Sequence, residues 1–188
     1  CGSFVSPKAI PQMADTADLL REITLPENGT RLLVIVANKR GAEEAARFEQ
    51  VHYLGFPFSV SPTFQQRNAH SDLADSFKRV ADIQQICEQT GKELVVYLSM
   101  AFGNPYGDPY SEDLVLDWAN RLAELDIRTL SLADTVGLAA PTQVRELTQR
   151  LLESLPQCEI GLHLHARPEG RTKKLEAGWL AGCRRSAW

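Results

Sequence analysis

The sequence predicts an α/β fold in which parallel strands alternate with helices. Three observations predict it. Apolar, β-branched runs of strand length alternate with stretches whose apolar residues recur at helical spacing, and this order repeats five times. No long linker or low-complexity segment interrupts the order, so residues 1–188 read as a single domain built of βαβ units. The residues that carry chemistry gather where strands end: Ser3, Asn38, Ser59, Ser61, Asn104, Asp134, His163 and His165. Two architectures fit, a doubly wound open sheet and a (β/α)₈ TIM barrel. No Gly-x-Gly-x-x-Gly follows any strand, which removes the usual signature of dinucleotide binding. A barrel site draws on the C-terminal ends of many strands, and that pattern favours the barrel.

Each element has its own warrant. Residues 1–12 read as the end of a strand and a loop containing Gly2, Pro7 and Pro11. A helix follows, capped by Asp15 or Thr16, with Leu19, Leu20 and Ile23 as its apolar stripe; Pro26, Asn28 and Gly29 end it. Residues 32–37 (LLVIVA) have the continuous apolar character of a strand covered on both faces. A short helix is expected over 42–48 and a strand over 51–56, with a long loop over 57–71. Leu73, Phe77, Val80, Ile83 and Cys87 define a helix that stops at Gly91. Residues 94–99 (LVVYLS) form the next strand. Ser111 then caps a helix with the stripe Leu114, Trp118, Leu122 and Leu125. A strand over 127–132 leads into Asp134 and Gly137, and Pro141 opens a helix carrying Val144, Leu147, Leu151 and Leu155. The last strand holds the two histidines, and a final helix is expected over about 168–181.

The charge balance is ordinary. Net charge is −4, with 44% hydrophobic and 23% charged residues, so no basic excess exists to meet the phosphates of nucleic acid or a membrane surface. No apolar run reaches the ~20 residues that span a bilayer, and no signal-peptide pattern opens the sequence. Cys1, Cys87, Cys158 and Cys183 are scattered, which fits free thiols in a reducing cytoplasm rather than a disulfide framework. The sequence starts at Cys1 and stops at Trp188, where another strand is due, and is expected to be a piece of a longer protein.

In Gly161-Leu162-His163-Leu164-His165 the period of a strand puts both histidines on one face and both leucines on the other. Two imidazoles on a rigid strand make half of a divalent-metal site, which carboxylates, amides or water complete. They equally read as two strand histidines facing solvent or satisfied by hydrogen bonds.

SFVSPKAIPQMAD at 3–15, NPYGD at 104–108, SLADTVG at 131–137 and GLHLH at 161–165 together resemble the hydroxymethylglutaryl-CoA lyase family. This belongs to the HMGL-like group of metal-dependent lyases and aldolases, built on a (β/α)₈ barrel. The first stretch is the most particular to the lyases; S-L-x-D-T-x-G and H-x-H are shared across the group. The resemblance covers an incomplete barrel, from the end of strand 2 through the helix after strand 7. It implies that His163 and His165 bind Mg²⁺ or Mn²⁺ and that Ser3, Asn38, Asp134 and Thr135 lie at the substrate. Asp134 reads equally as a turn cap, and Asn38 as a strand-end turn. Lys8, Lys39 and Arg40 are weak candidates for CoA phosphates. Tyr97 reads as barrel filling, and His52 and His70 as ordinary histidines. The family's R-D-G-x-Q aspartate, a glutamate before Cys1, and the G-G-C-P cysteine and later asparagine are not in this sequence. The resemblance puts that catalytic cysteine beyond Trp188. No catalytic residue is therefore expected within the sequence, and Cys183, in A-G-C-R-R, is read as structural. One departure stands out: Ala166 follows H-x-H where the family carries an acidic residue or Asn, so metal affinity or substrate preference can differ.

The implied reaction is cleavage of 3-hydroxy-3-methylglutaryl-CoA to acetyl-CoA and acetoacetate, a step of leucine degradation, by a parent protein that is a homo-oligomer, a dimer, in a bacterial cytoplasm. The fragment alone is expected to be inactive. The alternatives are a sister 2-oxo-acid aldolase or condensing enzyme, of the isopropylmalate- or citramalate-synthase kind, and a degenerate barrel that binds metal without turnover.

Overall fold

A computed structural model describes residues 2–6, 8 and 10–187. Three expectations lie outside the described residues: the free thiol at Cys1, Pro7 in the N-terminal loop, and Trp188, beyond which the catalytic cysteine is expected. The described chain divides into two compact units, residues 1–57 with 78–95 and residues 58–77 with 96–188.

The first unit begins with β1 (Gly2–Phe4), a 3₁₀ turn (Pro11–Met13) and α1 (Thr16–Glu22). The expected stripe of α1 is narrower than its sequence suggests: Leu20 is buried, while Leu19 is 55% and Ile23 38% exposed. Asp15 stands at the N-cap without a side-chain bond to the helix. β2 (Leu32–Val36) pairs in parallel with β1, matching Ser3 to Ile35, and with β3 (Val51–Ser59), matching Val34 to Leu54. α2 (Lys39–Ala46) starts three residues earlier than its apolar pattern predicts. The cause is Asn38, whose Oδ1 accepts the Gly41 N–H at 2.9 Å and so satisfies one free donor of the first turn. A Cβ at Gly41 would stand 2.3 Å from the Phe4 carbonyl oxygen, so only glycine lets α2 approach β1 this closely. Val34, Val36, Leu54, Val80, Ile83 and Cys87 are buried.

β3 continues three residues past its expected end, to Ser59, with Phe56 held extended before Pro57. The loop expected over 57–71 contains a helix, α3 (Pro62–Ala69). Its signature is in the sequence: Ser61 caps it by accepting the Phe64 N–H at 3.2 Å, Pro62 takes the first turn, and His70 closes it at φ 48°. Asp108 secures this cap, accepting the Thr63 N–H at 2.9 Å and the Thr63 hydroxyl at 2.7 Å, with the Ser61 hydroxyl also donating to it. α4 (Leu73–Thr90) follows as expected.

β4 (Glu93–Ser99) is followed by Met100, which is buried at φ 62°. α5 (Glu112–Ala123) buries Val115, Trp118, Ala119 and Leu122. This face is shifted from the expected one, and Leu114 and Leu125 are only half-buried. Phe58 packs on Trp118 with ring centroids 4.9 Å apart. β5 (Thr129–Asp134) runs two residues further than expected and so includes Asp134. α6 (Pro141–Ser154) buries its expected stripe. β6 (Glu159–Leu164) lies parallel to β5, with Leu132 opposite Leu162 and Asp134 opposite Leu164. α7 (Pro168–Leu180) leads to a short further strand, β7 (Arg185–Ala187), where the expected boundary stopped at the helix. It pairs with β6 from Gly161↔Arg185.

The hydrogen-bonded order follows the chain from β1 to β7. A doubly wound sheet reverses its order at a switch point; this one does not, and it is a partial (β/α) barrel. Among the described residues no helix is long and apolar enough to cross a membrane.

Candidate metal and substrate site

The alternation of β6 gives its two faces different surroundings. Leu162 and Leu164 are each 2% exposed, whereas His163 is half-buried and His165, just past the strand, is exposed. The two rings meet on one side, with their Nε2 atoms 3.1 Å apart. Two cis ligands about 2.1 Å from an octahedral ion stand ~3 Å apart, so this spacing fits a shared cation. The same spacing lets one neutral ring donate its Nε2–H to the other. Burial, then the neighbouring His165, lowers the pKa of His163, which keeps its ring neutral as a metal ligand must be. Its Nδ1 is buried without a hydrogen-bond partner among the described residues. Tyr97 meets this ring edge-on at 5.7 Å, and burial, opposed by Arg185, raises the tyrosine's pKa. Tyr97 therefore contacts a candidate ligand besides filling space. No third His, Cys, Asp or Glu joins the pair as a ligand cluster among the described residues. The donors fit half a metal site.

Asp134 ends β5 and is 1% exposed. Its Oδ1 accepts the Ala139 N–H at 3.1 Å, and its Oδ2 takes the ammonium of Lys174 at 2.6 Å. The turn reading of Asp134 is thus realised through Ala139. The Asp134 main-chain carbonyl also accepts the Gly137 N–H at 3.1 Å. Thr135 accepts the Met100 N–H at 2.9 Å and donates to the Ala133 carbonyl at 3.4 Å. Lys174 escaped the sequence reading. Its signal was position: Lys174, Ala177 and Gly178 recur at helical spacing and form the buried face of α7.

Ser3 and Asn38 belong to the first unit and line a cavity of about 310 Å³ there with Phe4, Thr16 and Arg40. Ser3 is buried; its hydroxyl donates to the Ile35 carbonyl at 3.4 Å and its amide donates to Thr16 Oγ1 at 3.1 Å. Asn38 serves as the cap of α2, as the strand-end reading has it, and also borders the cavity. Lys8, Lys39 and Arg40 are exposed. His52 Nδ1 lies 2.9 Å from the Gln50 carbonyl oxygen, and His70 ends α3, so neither joins the site. Cys183 is buried, its Sγ 3.4 Å from the Ile160 carbonyl oxygen, consistent with a structural thiol.

A partial barrel with paired imidazoles at a strand's C-terminal end defines a (β/α) barrel protein whose candidate chemistry sits at the strand ends. The sequence pattern of the HMGL-like family matches residues 8–185, and the chain belongs to that family. It is 32% identical to mouse mitochondrial hydroxymethylglutaryl-CoA lyase over 166 residues, covering 87% of this chain and 50% of the relative. It is 28% identical to the (R)-citramalyl-CoA lyase of Chloroflexus aurantiacus, covering 97% of this chain and 60% of the relative. An Acinetobacter baumannii HMG-CoA lyase, solved in complex with coenzyme A and 3-methylmalate, superposes with a TM-score of 0.87 at 30% identity, over 98% of this chain and 60% of that one. The chain thus spans half to three-fifths of the length of these relatives.

Proposed function

We propose that this chain is the metal-bearing part of an acyl-CoA carbon–carbon lyase that cleaves 3-hydroxy-3-methylglutaryl-CoA to acetyl-CoA and acetoacetate. The observation that carries the reading is the pair of His163 and His165 Nε2 atoms, 3.1 Å apart at the end of β6, in a chain of the HMGL-like family. Residues 1–188 are taken as one stretch of the barrel domain of a bacterial cytoplasmic protein, with a second copy as its partner.

His163 and His165 would hold Mg²⁺ or Mn²⁺ through neutral Nε2 atoms. A divalent cation so held supplies Lewis acidity for the substrate oxygen that becomes the ketone. The lowered pKa of His163 keeps protons from competing for that ligand near neutral pH. Thr135 fixes the backbone at Met100 and Asp134 fixes the turn after β5, so both shape the wall beside the histidines. Ser3 and Asn38 offer a hydroxyl and an amide to substrate at the cavity they line. None of the residues given a role here removes the hydroxyl proton or protonates the acetyl-CoA enolate, so the chain alone is inactive in this reading.

A second acyl group is favoured by two observations. The citramalyl-CoA lyase aligns over 97% of this chain, and Ala166 here departs from the residue expected after H-x-H. The test is a coupled assay of the parent protein with Mn²⁺ on both acyl-CoA thioesters. Acetoacetate formation that disappears in His163→Ala and in His165→Ala is expected. Cleavage of citramalyl-CoA alone would select the second substrate, and cleavage surviving both substitutions would refute the metal assignment.

A further inference from the structure

Lys174 is a lysine with almost no access to water. Its side chain is 9% exposed, and it lies on the inner face of α7 with Ala177 and Gly178. Its Nζ reaches Asp134 Oδ2 at 2.6 Å, the His165 carbonyl oxygen at 3.1 Å and the Gly137 carbonyl oxygen at 3.3 Å. An ammonium has three protons and no acceptor, so these acceptors match its full donor capacity. They come from the ends of two neighbouring strands. Asp134 ends β5, Gly137 lies in the turn after it, and His165 follows β6.

The position of His165 makes this matter. The ladder between β5 and β6 has its last pair at Asp134↔Leu164, one residue before His165. Among the described residues no strand pair reaches His165, and the ring is exposed. Lys174 supplies the missing restraint by gripping the His165 carbonyl. The turn supports it from the other side: Gly137 stands at φ 74°, and a Cβ there would lie 3.4 Å from the same oxygen. The anchor is firm, because Asp134 is itself held by the Ala139 N–H.

We propose that Lys174 is a positioning residue: it ties the His165 backbone to the end of β5 and so keeps the His165 ring beside His163 for metal binding. The proposal rests on the reading of the two histidines as metal ligands. Its function for metal is separable from its part in a buried ion pair. Removing one charge of such a pair strands the other, whereas neutralising both, with an amide in place of the carboxylate, strands neither and keeps the acceptor of the Ala139 N–H.

The test uses the 188-residue chain, Lys174→Met, the double variant Lys174→Met/Asp134→Asn, whose side-chain oxygen still accepts the Ala139 N–H, and His163→Ala/His165→Ala. Ni²⁺, an imidazole-seeking ion, is titrated calorimetrically, with thermal melts and amide hydrogen exchange at Gly137 measured on each. Lys174→Met should melt earlier than the parent chain. The double variant should recover most of that melting temperature yet bind Ni²⁺ about tenfold or more weakly, with faster exchange at Gly137. A double variant that binds Ni²⁺ as the parent does, or that fails to fold, would overturn the proposal. Ni²⁺ binding that persists without both histidines would overturn the ligand reading instead. The clamp itself is then judged by the exchange at Gly137, and unchanged exchange in the double variant would refute it.

Discussion

Thr135 was expected at the substrate, and the structure gives its hydroxyl another task whose size can be worked out. Its Oγ1 accepts the N–H of Met100 at 2.9 Å, and Met100 is 1% exposed. Met100 also stands at φ 62°, a left-handed conformation that costs a residue with a side chain roughly 1–3 kcal/mol. Replacing Thr135 by Val keeps the branched shape and removes the acceptor. A buried amide left without a partner costs about 1–3 kcal/mol. For a chain of this length that lowers the melting temperature by roughly 2–12 °C, at about 2–4 °C per kcal/mol. Thr135→Ser keeps the hydroxyl and should stay within about 0.5 kcal/mol of the parent chain. The assay is urea denaturation followed by tryptophan fluorescence, with both variants compared in midpoint and slope. Equal midpoints for Val and Ser would refute the assignment of the hydroxyl to Met100. A Val variant that is fully stable but loses substrate affinity in the parent protein would show that the hydroxyl faces ligand instead.

Three further outcomes are expected. Gly41→Ala puts a Cβ 2.3 Å from the Phe4 carbonyl oxygen and should lower the melting temperature, as overpacking costs about 1–3 kcal/mol; Gly170→Ala, with nothing within 4 Å in α7, should raise it, and shifts of the same sign in melting scans would count against the close approach of α2 and β1. Burial pushes the Cys87 thiol up to about 12 and raises those of Cys158 and Cys183, so iodoacetamide at mildly alkaline pH should spare all three in the folded chain and label them in urea; peptide mapping by mass spectrometry that finds Cys87 labelled at the denatured rate would contradict this. Hydrogen bonds from Ser61 and Thr63 lower the pKa of Asp108. A lowered carboxyl pKa gives stability that is present above the unfolded value and lost as pH falls below about 3.9. The stability difference between the parent chain and Asp108→Asn should therefore shrink on acidification, and a difference that grows instead would reverse the sign of the argument.

Most of the fold was legible because the strands are apolar runs and the helices carry stripes, and burial selects for both. β2, β4 and β6 and the helix from Leu73 were located to within a residue or two. Where the reading slipped, local polar chemistry outweighed periodicity. Asn38 started α2 early through a bond to Gly41, and Ser61 with Pro62 opened a helix in what read as loop. In α5 Trp118 and Leu122 face inward as expected, and Val115 and Ala119 complete the buried face in place of Leu114 and Leu125. At the site, strand alternation was enough to bring His163 and His165 together. Lys174 was not legible because Asp134 and Gly137 lie 40 and 37 residues before it, and a lysine on a helix is usually solvated.

The strand order, in which each strand pairs with the next along the chain, bears on how the protein is made. Matched residues lie close in sequence, 20 residues apart for Val34 and Leu54 and 32 for Gly2 and Val34. A ribosome adding about 5–20 residues per second delivers one such interval in roughly 1–6 s. Each newly emerged strand therefore meets a neighbour that is already outside the exit tunnel, and its apolar face is covered within one unit of synthesis. Assembly can advance from the N-terminal side at the pace of translation, with the growing edge of the sheet moving along the nascent chain.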